Sequence, residues 1–263
     1  MSHTFIIAEA AATHDGDLIH ALELINIAKE YGADCIKFQW TSNRQQMAER
    51  RHVEDASAYR LLAFPVEWLP VLSKTAHDAG LEFMCTVFLP EDIPIIAPFV
   101  DRFKVASLES LDEKFMRAHY EYKKEIIVSA GACAAEDVTD IEGVWPYCDN
   151  KQVRWIQCTS AYPCPSNELN LSVISEGDLE GLSDHSSLLV TGAFAVCAGA
   201  TIIEKHFRHR QTLESNPDYH HSLPPEGLGE YIRYIRLAET MLGDGQKRVT
   251  PSEEDLIKHR VRP

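Results

Sequence analysis

Two short segments set histidine beside hydroxyl and charged residues: SDHS at 183–186 and EKHFRH at 204–209. Each closes an apolar run, GLSDHS and TIIEKHF, as the C-terminal end of a β-strand does. Alternate residues of a strand share a face. Ser183 therefore goes with His185, and Glu204 with His206, while Asp184 and Lys205 point to the opposite face. Neighbouring parallel strands lie about 4.8 Å apart, so imidazoles from two adjacent strand ends can reach one ion. Two nitrogen donors lack the third protein ligand of a catalytic zinc site; with several open positions they suit Mn²⁺ or Mg²⁺. The spacing also admits two unrelated strand-end histidines, and it leaves His209, His220 and His221 as competing ligands.

Other polar residues end other apolar runs: Glu9, Lys37, Gln39, Lys104, Ser107, Ser129 and Ser160. Lys37, Lys104 and serines 107, 129 and 183 supply the fixed cations and hydroxyl donors that a phosphate or carboxylate requires. VSAGA (128–132) and LSDHSS (182–187) lead into helix starts, whose free N–H groups favour anions. Glu9 and Asp218 are the candidate acid/base pair. The plainer reading of Glu9 is an inner-barrel ion pair with a lysine. For Asp218, which follows Pro217, it is an ordinary turn residue.

These residues need a scaffold that brings many strand ends to one rim. Eight apolar runs are present, at 4–11, 35–40, 82–87, 102–107, 125–130, 153–160, 180–186 and 201–207. Amphipathic stretches separate them. In DLIHALELINIAKEYGA (17–33), Leu18, Ala21, Leu22, Ile25 and Ala28 fall on one helical face. VEWLPVLSKTAHDAG (66–80) has a glycine stop, and LLVTGAFAVCAGA (188–200) is a helix for a sheet seam, with a dimer face as the alternative. Eight strand–helix units predict an α/β fold, a (β/α)8 TIM barrel, whose strand ends form the active-site mouth. A doubly wound open sheet would show a glycine-rich turn after the first strand, and none is there. Residues 1–243 are expected to form the barrel, and 244–263 a polar tail.

With 263 residues and a formal net charge of −15, the chain is a poor match for nucleic acid or an anionic membrane. No run approaches the ~20 apolar residues of a membrane span, and the N-terminus does not read as a signal peptide. Seven cysteines without a C-x-x-C pair fit reduced thiols and a cytoplasmic location.

The motifs together resemble the sialic acid synthase family, which condenses phosphoenolpyruvate with an amino-sugar aldehyde. IAEAAATHDGD is similar to the family's A-E-x-x-x-N-H-x-G, GADCIKFQ to G-A-D-x-x-K-F-Q, and FKVASLE to K-[IV]-A-S-x-[ED]. VSAG stands where the family has S-T-G, and CTSAYPCP resembles C-T-S-x-Y-P-x-P. GLSDHS, GATIIEKHF, NPDYHHSLPPEGL and LGDGQKRVTPSE continue the match in order to the end of the chain. The resemblance implies that His185 and His206 bind Mn²⁺ or a similar ion, with Mg²⁺ or Co²⁺ as substitutes. It implies that Lys37, Lys104, Ser107, Ser129, Ser160, Tyr162 and Ser183 surround phosphoenolpyruvate, and that Glu9, Gln39 and Asp218 sit at the reacting centre. The expected activity is that of a transferase making a sialic-acid-like 2-keto-3-deoxy acid and phosphate.

Several features depart from the pattern. The family's small C-terminal antifreeze-like domain is not expected after residue 243, and the loop 41–64 is short. Thr13 replaces the usual Asn, Asn216 the Gly before Pro-Asp, and Tyr219 a common His. The phosphoenolpyruvate half therefore matches better than the acceptor half. That points to a different aldehyde, or to an acceptor site completed by a homodimer mate or a separate partner protein. The rival functions are a metal-dependent 2-keto acid aldolase or lyase and a non-catalytic ligand-binding barrel.

Overall fold

A computed structural model describes residues 3–139, 152–177 and 179–261. Eight parallel strands close in chain order into a barrel, with β1 paired to both β2 and β8. They are β1 (Phe5–Ala11), β2 (Cys35–Gln39), β3 (Glu82–Thr86), β4 (Phe103–Val105), β5 (Ile126–Ser129), β6 (Val153–Cys158), β7 (Gly181–Asp184) and β8 (Ile202–His206). Each falls within one of the eight apolar runs, so the predicted barrel is the observed fold. The described helices are α1 (Leu18–Glu30), α2 (Arg44–Arg50), α3 (Trp68–Asp78), α4 (Ile93–Ile96), α5 (Glu113–Tyr120), α6 (Ala135–Thr139), α7 (Ser172–Ser175), α8 (Thr191–Cys197) and α9 (Pro225–Leu242).

Period-2 alternation fills the barrel in layers. At the N-terminal mouth, Arg102 and Arg154 interleave with Glu82, Glu125 and Glu180 in a chain of ion pairs. Above it lies a dry layer of Ile7, Cys35, Met84, Ile127, Ile156 and Ile202. Two residues further along the strands come Glu9, Lys37, Thr86, Lys104, Ser129, Cys158, Ser183 and Glu204. The apolar layer is thus the floor on which the polar mouth stands.

The outward faces pack on the helices. Asp184 and Lys205 point that way, as alternation requires, and pair at 3.2 Å with no exposure. The Tyr231 hydroxyl of α9 donates to Asp184 at 2.9 Å. α8 crosses α9 closely because Gly192 lacks a Cβ, which would stand 2.7 Å from the Tyr231 ring. The stretch 188–200 is therefore a seam, although Phe194 faces outward. In α1, the Asp17 side chain accepts from the Ile19 N–H, and Ala21, Leu24, Ile25 and Ala28 are buried. Residues 244–261 are exposed throughout and include a 3₁₀ turn, Pro251–His259, capped by Thr250 and Glu253. Among the described residues no helix is long and apolar enough to cross a membrane.

Candidate active site at the barrel mouth

Strand register levels Glu9 with Lys37 on one side and His206 on the other, and Ser183 with Glu204. Glu9 is buried and ion-paired with Lys37, and its second oxygen accepts the Ala11 N–H at 2.6 Å. The plainer reading of Glu9 is thus present in the structure. Lys37 also donates to Thr86 at 3.1 Å and lies 3.4 Å from Glu204. Lys104 donates to Ser129 at 2.6 Å and lies 3.8 Å from Glu204. Ser183 donates to Glu204 at 2.9 Å. Glu204 is therefore the hub of the layer. Alternation put it on the face of His206, yet the sequence reading gave it no role.

Burial lowers Lys37 to about 8, against the opposing pull of Glu204. Burial also pushes Glu204 up, but Lys104, Lys37 and the Ser183 hydroxyl together hold it below its ordinary value. Both lysines proposed as fixed cations for an anion are thus already partnered by carboxylates.

Neutral donors lie beside them. Ser107 follows β4, Gly131 follows β5 and Ser160 follows β6. The Gly131 N–H donates to Ser107 Oγ at 3.1 Å. A Cβ at Gly131 would lie 2.5 Å from Ser107 Oγ, 3.1 Å from Cys158 Sγ, and within overlap of Ser160 Oγ. Glycine keeps open a cradle on which one N–H and two hydroxyls converge. Cys158 joins this cradle to the histidines: its sulfur is 3.5 Å from Ser107 Oγ and 3.8 Å from His185 Nδ1.

His185 Nδ1 lies 2.9 Å from the Thr159 carbonyl oxygen. A carbonyl only accepts, so Nδ1 carries the proton and Nε2 keeps its lone pair, an arrangement typical of a metal-binding histidine. The His206 ring is 5.4 Å away, and its Nδ1 is buried without a hydrogen-bond partner. Burial lowers His185 to about 4 and His206 well below the ordinary imidazole value, so both rings are neutral at pH 7. Tyr162 stacks on His185 at 4.1 Å. The rings of His185 and His206 are thus neighbours at the mouth, as adjacent strand ends require. His206, Asp218 and His221 also offer ligand atoms within 4.8 Å of one another. Neutral imidazoles, an orphaned buried nitrogen and a carboxylate make a donor set that fits a divalent ion. Of the three competing histidines, His220 is exposed and His209 pairs with Glu23 at 2.9 Å on α1.

Gln39 and Asp218 meet in a cavity of about 300 Å³ beside the histidines, together with Arg51, Tyr59, His206 and His221. The loop 41–64 forms one wall of this cavity. Arg51, just after α2, grips buried Glu109 through two bonds of 2.9 and 2.7 Å. Asp218 accepts the Ala12 N–H at 3.2 Å. Asn216 accepts the Asp218 N–H at 2.9 Å and donates to Ala12 O at 2.9 Å and Asp15 at 2.7 Å. Thr13 donates to Ala10 O at 2.8 Å. Asn216 therefore secures the loop that carries Asp218, and Thr13 also donates to Phe207 O just after β8 at 3.2 Å.

A family model described as "NeuB family" matches residues 24–247. The N,N'-diacetyllegionaminic acid synthase of Legionella pneumophila is 34% identical, over 96% of this chain and 76% of its own length. The pseudaminic acid synthase of Campylobacter jejuni is likewise 34% identical, over 98% of this chain and 79% of its own. Among solved structures, the N-acetylneuraminic acid synthetase of Leptospira borgpetersenii, in complex with citrate, superposes with a TM-score of 0.87 at 26% identity, covering 98% of this chain and 92% of that one.

Proposed function

The chain belongs to the NeuB family, and from that premise we propose that it condenses phosphoenolpyruvate with a sugar aldehyde of the N-acetylmannosamine kind. The products are a sialic-acid-like 2-keto-3-deoxy acid and phosphate. One observation carries the reading: an anion cradle and a neutral histidine pair share one mouth, joined through Cys158. In this reading the phosphate sits on Ser107, Gly131 and Ser160. The carboxylate is received by Lys37, Lys104, Ser129 and Ser183, and Tyr162 closes the side. The cavity walled by Gln39, Asp218 and the loop 41–64 takes the acceptor.

The methylene carbon of phosphoenolpyruvate bonds to the aldehyde carbon, whose oxygen takes a proton and becomes a hydroxyl. Water adds to the cationic C2 and gives its proton to Glu9. The bond between C2 and the phosphate oxygen then breaks while the C2 hydroxyl passes its proton to the departing phosphate, leaving the 2-keto acid and phosphate. Gln39 orients the acceptor, and Asp218 anchors it or supplies the proton to its oxygen. A divalent ion, Mn²⁺ by first preference, would be held by His185 and His206 and would supply Lewis-acid polarisation of the acceptor carbonyl. A cytoplasmic setting is consistent with the cysteines, which are free among the described residues. A second copy or a partner protein would complete the acceptor side.

The test is phosphate release from phosphoenolpyruvate with Mn²⁺ across a panel of aldoses and N-acetylhexosamines. Release should depend on the acceptor and fall with chelator and in His185→Ala. Cleavage of a 2-keto acid to pyruvate without phosphate chemistry would favour an aldolase. Binding of neither metal nor phosphoenolpyruvate would overturn the reading.

A further inference from the structure

We propose that His221 is a third protein ligand to the divalent ion, so that His185, His206 and His221 hold it together. The proposal rests on the reading that His185 and His206 are metal ligands, and it adds a donor from outside the barrel strands. His221 is 3% exposed, and its Nε2 is buried without a hydrogen-bond partner. The nearest carboxylate oxygen, on Asp218, is 3.5 Å away and does not satisfy it. His206 Nδ1 beside it is orphaned in the same way. Two buried nitrogens on touching rings, each left unpaired, are costly unless something between them accepts both lone pairs.

Ring geometry permits that. The His206 and His221 rings are 4.7 Å apart with planes at 75°. A nitrogen lone pair lies in the plane of its ring, and steeply crossing planes intersect close to both rings, so one ion can lie in both. The other histidine cluster fails this criterion. His20 and His209 are also 4.7 Å apart, but at 23°, so their planes meet only far from the rings.

Backbone pairing fixes His221 where it is. Phe207 bridges to Leu223 in parallel, with the Leu223 N–H donating to His206 O at 3.0 Å and the Arg208 N–H to Leu223 O at 2.9 Å. The chain two residues before Leu223 is thereby held against the end of β8. Tyr162 supports the same cluster, with its ring 4.9 Å from His221 and 4.1 Å from His185. In sequence, Tyr219 occupies the position after Asp218 where the resembling family commonly has histidine, and His221 stands two positions later. Three imidazoles favour Co²⁺ or Zn²⁺ more strongly than Mn²⁺ or Mg²⁺.

The experiment is Co²⁺ binding to the chelator-treated protein by calorimetry and visible absorption. A His209→Ala background removes the second cluster, and exposed His220→Ala serves as the control. His221→Ala should weaken Co²⁺ binding by at least about tenfold and alter the d–d bands, as should His185→Ala, while His220→Ala changes neither. His221→Gln repeats the comparison should the alanine variant melt early. Pulsed EPR of Cu²⁺-loaded protein in the same His209→Ala background counts the imidazoles directly, and three are expected. Two imidazoles, or unchanged Co²⁺ affinity in both His221 variants while His185→Ala weakens it, would overturn the proposal and leave the two-histidine reading standing. Unchanged affinity in His185→Ala, His206→Ala and His221→Ala alike would overturn both.

Discussion

Gly131→Ala tests the anion cradle with one methyl group. The Gly131 backbone is outside the left-handed region, so alanine takes its conformation without strain. The new Cβ, however, would stand 2.5 Å from Ser107 Oγ and overlap Ser160 Oγ. Both hydroxyls must swing away from the point they now share with the Gly131 N–H. Each is the free end of a serine, so the fold cost sits near the low end of overpacking, about 1 kcal/mol, or a melting shift of roughly 2–4 °C. The ligand cost is larger. Two hydrogen bonds to a phosphate, each worth about 1.5 kcal/mol at the lower end for a charged acceptor, sum to about 3 kcal/mol. That is about a 100-fold loss of affinity. Calorimetric titration of phosphoenolpyruvate into the wild type and the variant, with melting curves of both, reads the two effects separately. Unchanged affinity in a well-folded variant would refute the cradle. So would a loss that Ser107→Ala and Ser160→Ala fail to reproduce in part.

Glu204→Gln keeps the Ser183 bond but withdraws the carboxylate shared by buried Lys37 and Lys104. It should cost about 3–5 kcal/mol in urea unfolding, and a loss under 1 kcal/mol would show that Glu204 is not the hub. His119, fully buried, is lowered by that burial from 6.5 to about 4, so the unfolded chain takes up its proton first as pH falls. Its contribution is complete above pH ~6.5 and is lost towards pH 4, up to about 3 kcal/mol; His119→Leu should flatten the pH dependence of unfolding by that share, and an unaltered slope would contradict it. Removing the divalent ion with chelator should weaken phosphoenolpyruvate binding by about 5–150-fold, the usual range of site coupling, and equal affinity with and without the ion would deny any link between the histidines and the cradle.

The barrel was legible because the strands are short, largely apolar runs with polar residues gathered toward their C-terminal ends, and because alternation settles which face each end residue takes. That sufficed to put His185 with His206 and to send Asp184 and Lys205 outward to the helices. Partnership was legible only in kind: a lysine partner was expected for Glu9, but not which lysine. Glu9 and Lys37 sit on strands whose relative register no local pattern encodes, and Glu204 reaches Lys37 and Lys104 only because the sheet closes on itself. Among His209, His220 and His221, spacing offers no preference; the Phe207–Leu223 bridge makes it. Thr13 and Asn216 stand out in sequence only as departures, yet the side chain of Asn216 ties the Asp218 loop to the first strand's loop through two hydrogen bonds, to Ala12 O and Asp15, while its oxygen accepts the Asp218 N–H.

The charge arrangement explains how a chain of net charge −15 can receive an anion at all. Glu9 and Glu204 match Lys37 and Lys104, so the inner layer offers little net attraction. Its ion pairs instead hold the lysine, serine and threonine donors rigid, at an electrostatic cost met during folding rather than at binding. On the proposed function, net attraction would then come from two other sources: the uncharged cradle of Ser107, Gly131 and Ser160, and a cation held by the neutral histidines. In the proposed reading, neutral donors discriminate by geometry and a cation held by the histidines would supply the charge. The sulfur of Cys158, within 4 Å of both Ser107 Oγ and His185 Nδ1, sets the two side by side. An anion that fits the cradle but cannot approach the histidines would therefore gain only half of the available interaction, and this favours a substrate with a phosphate and a second anionic or carbonyl oxygen a few ångströms apart.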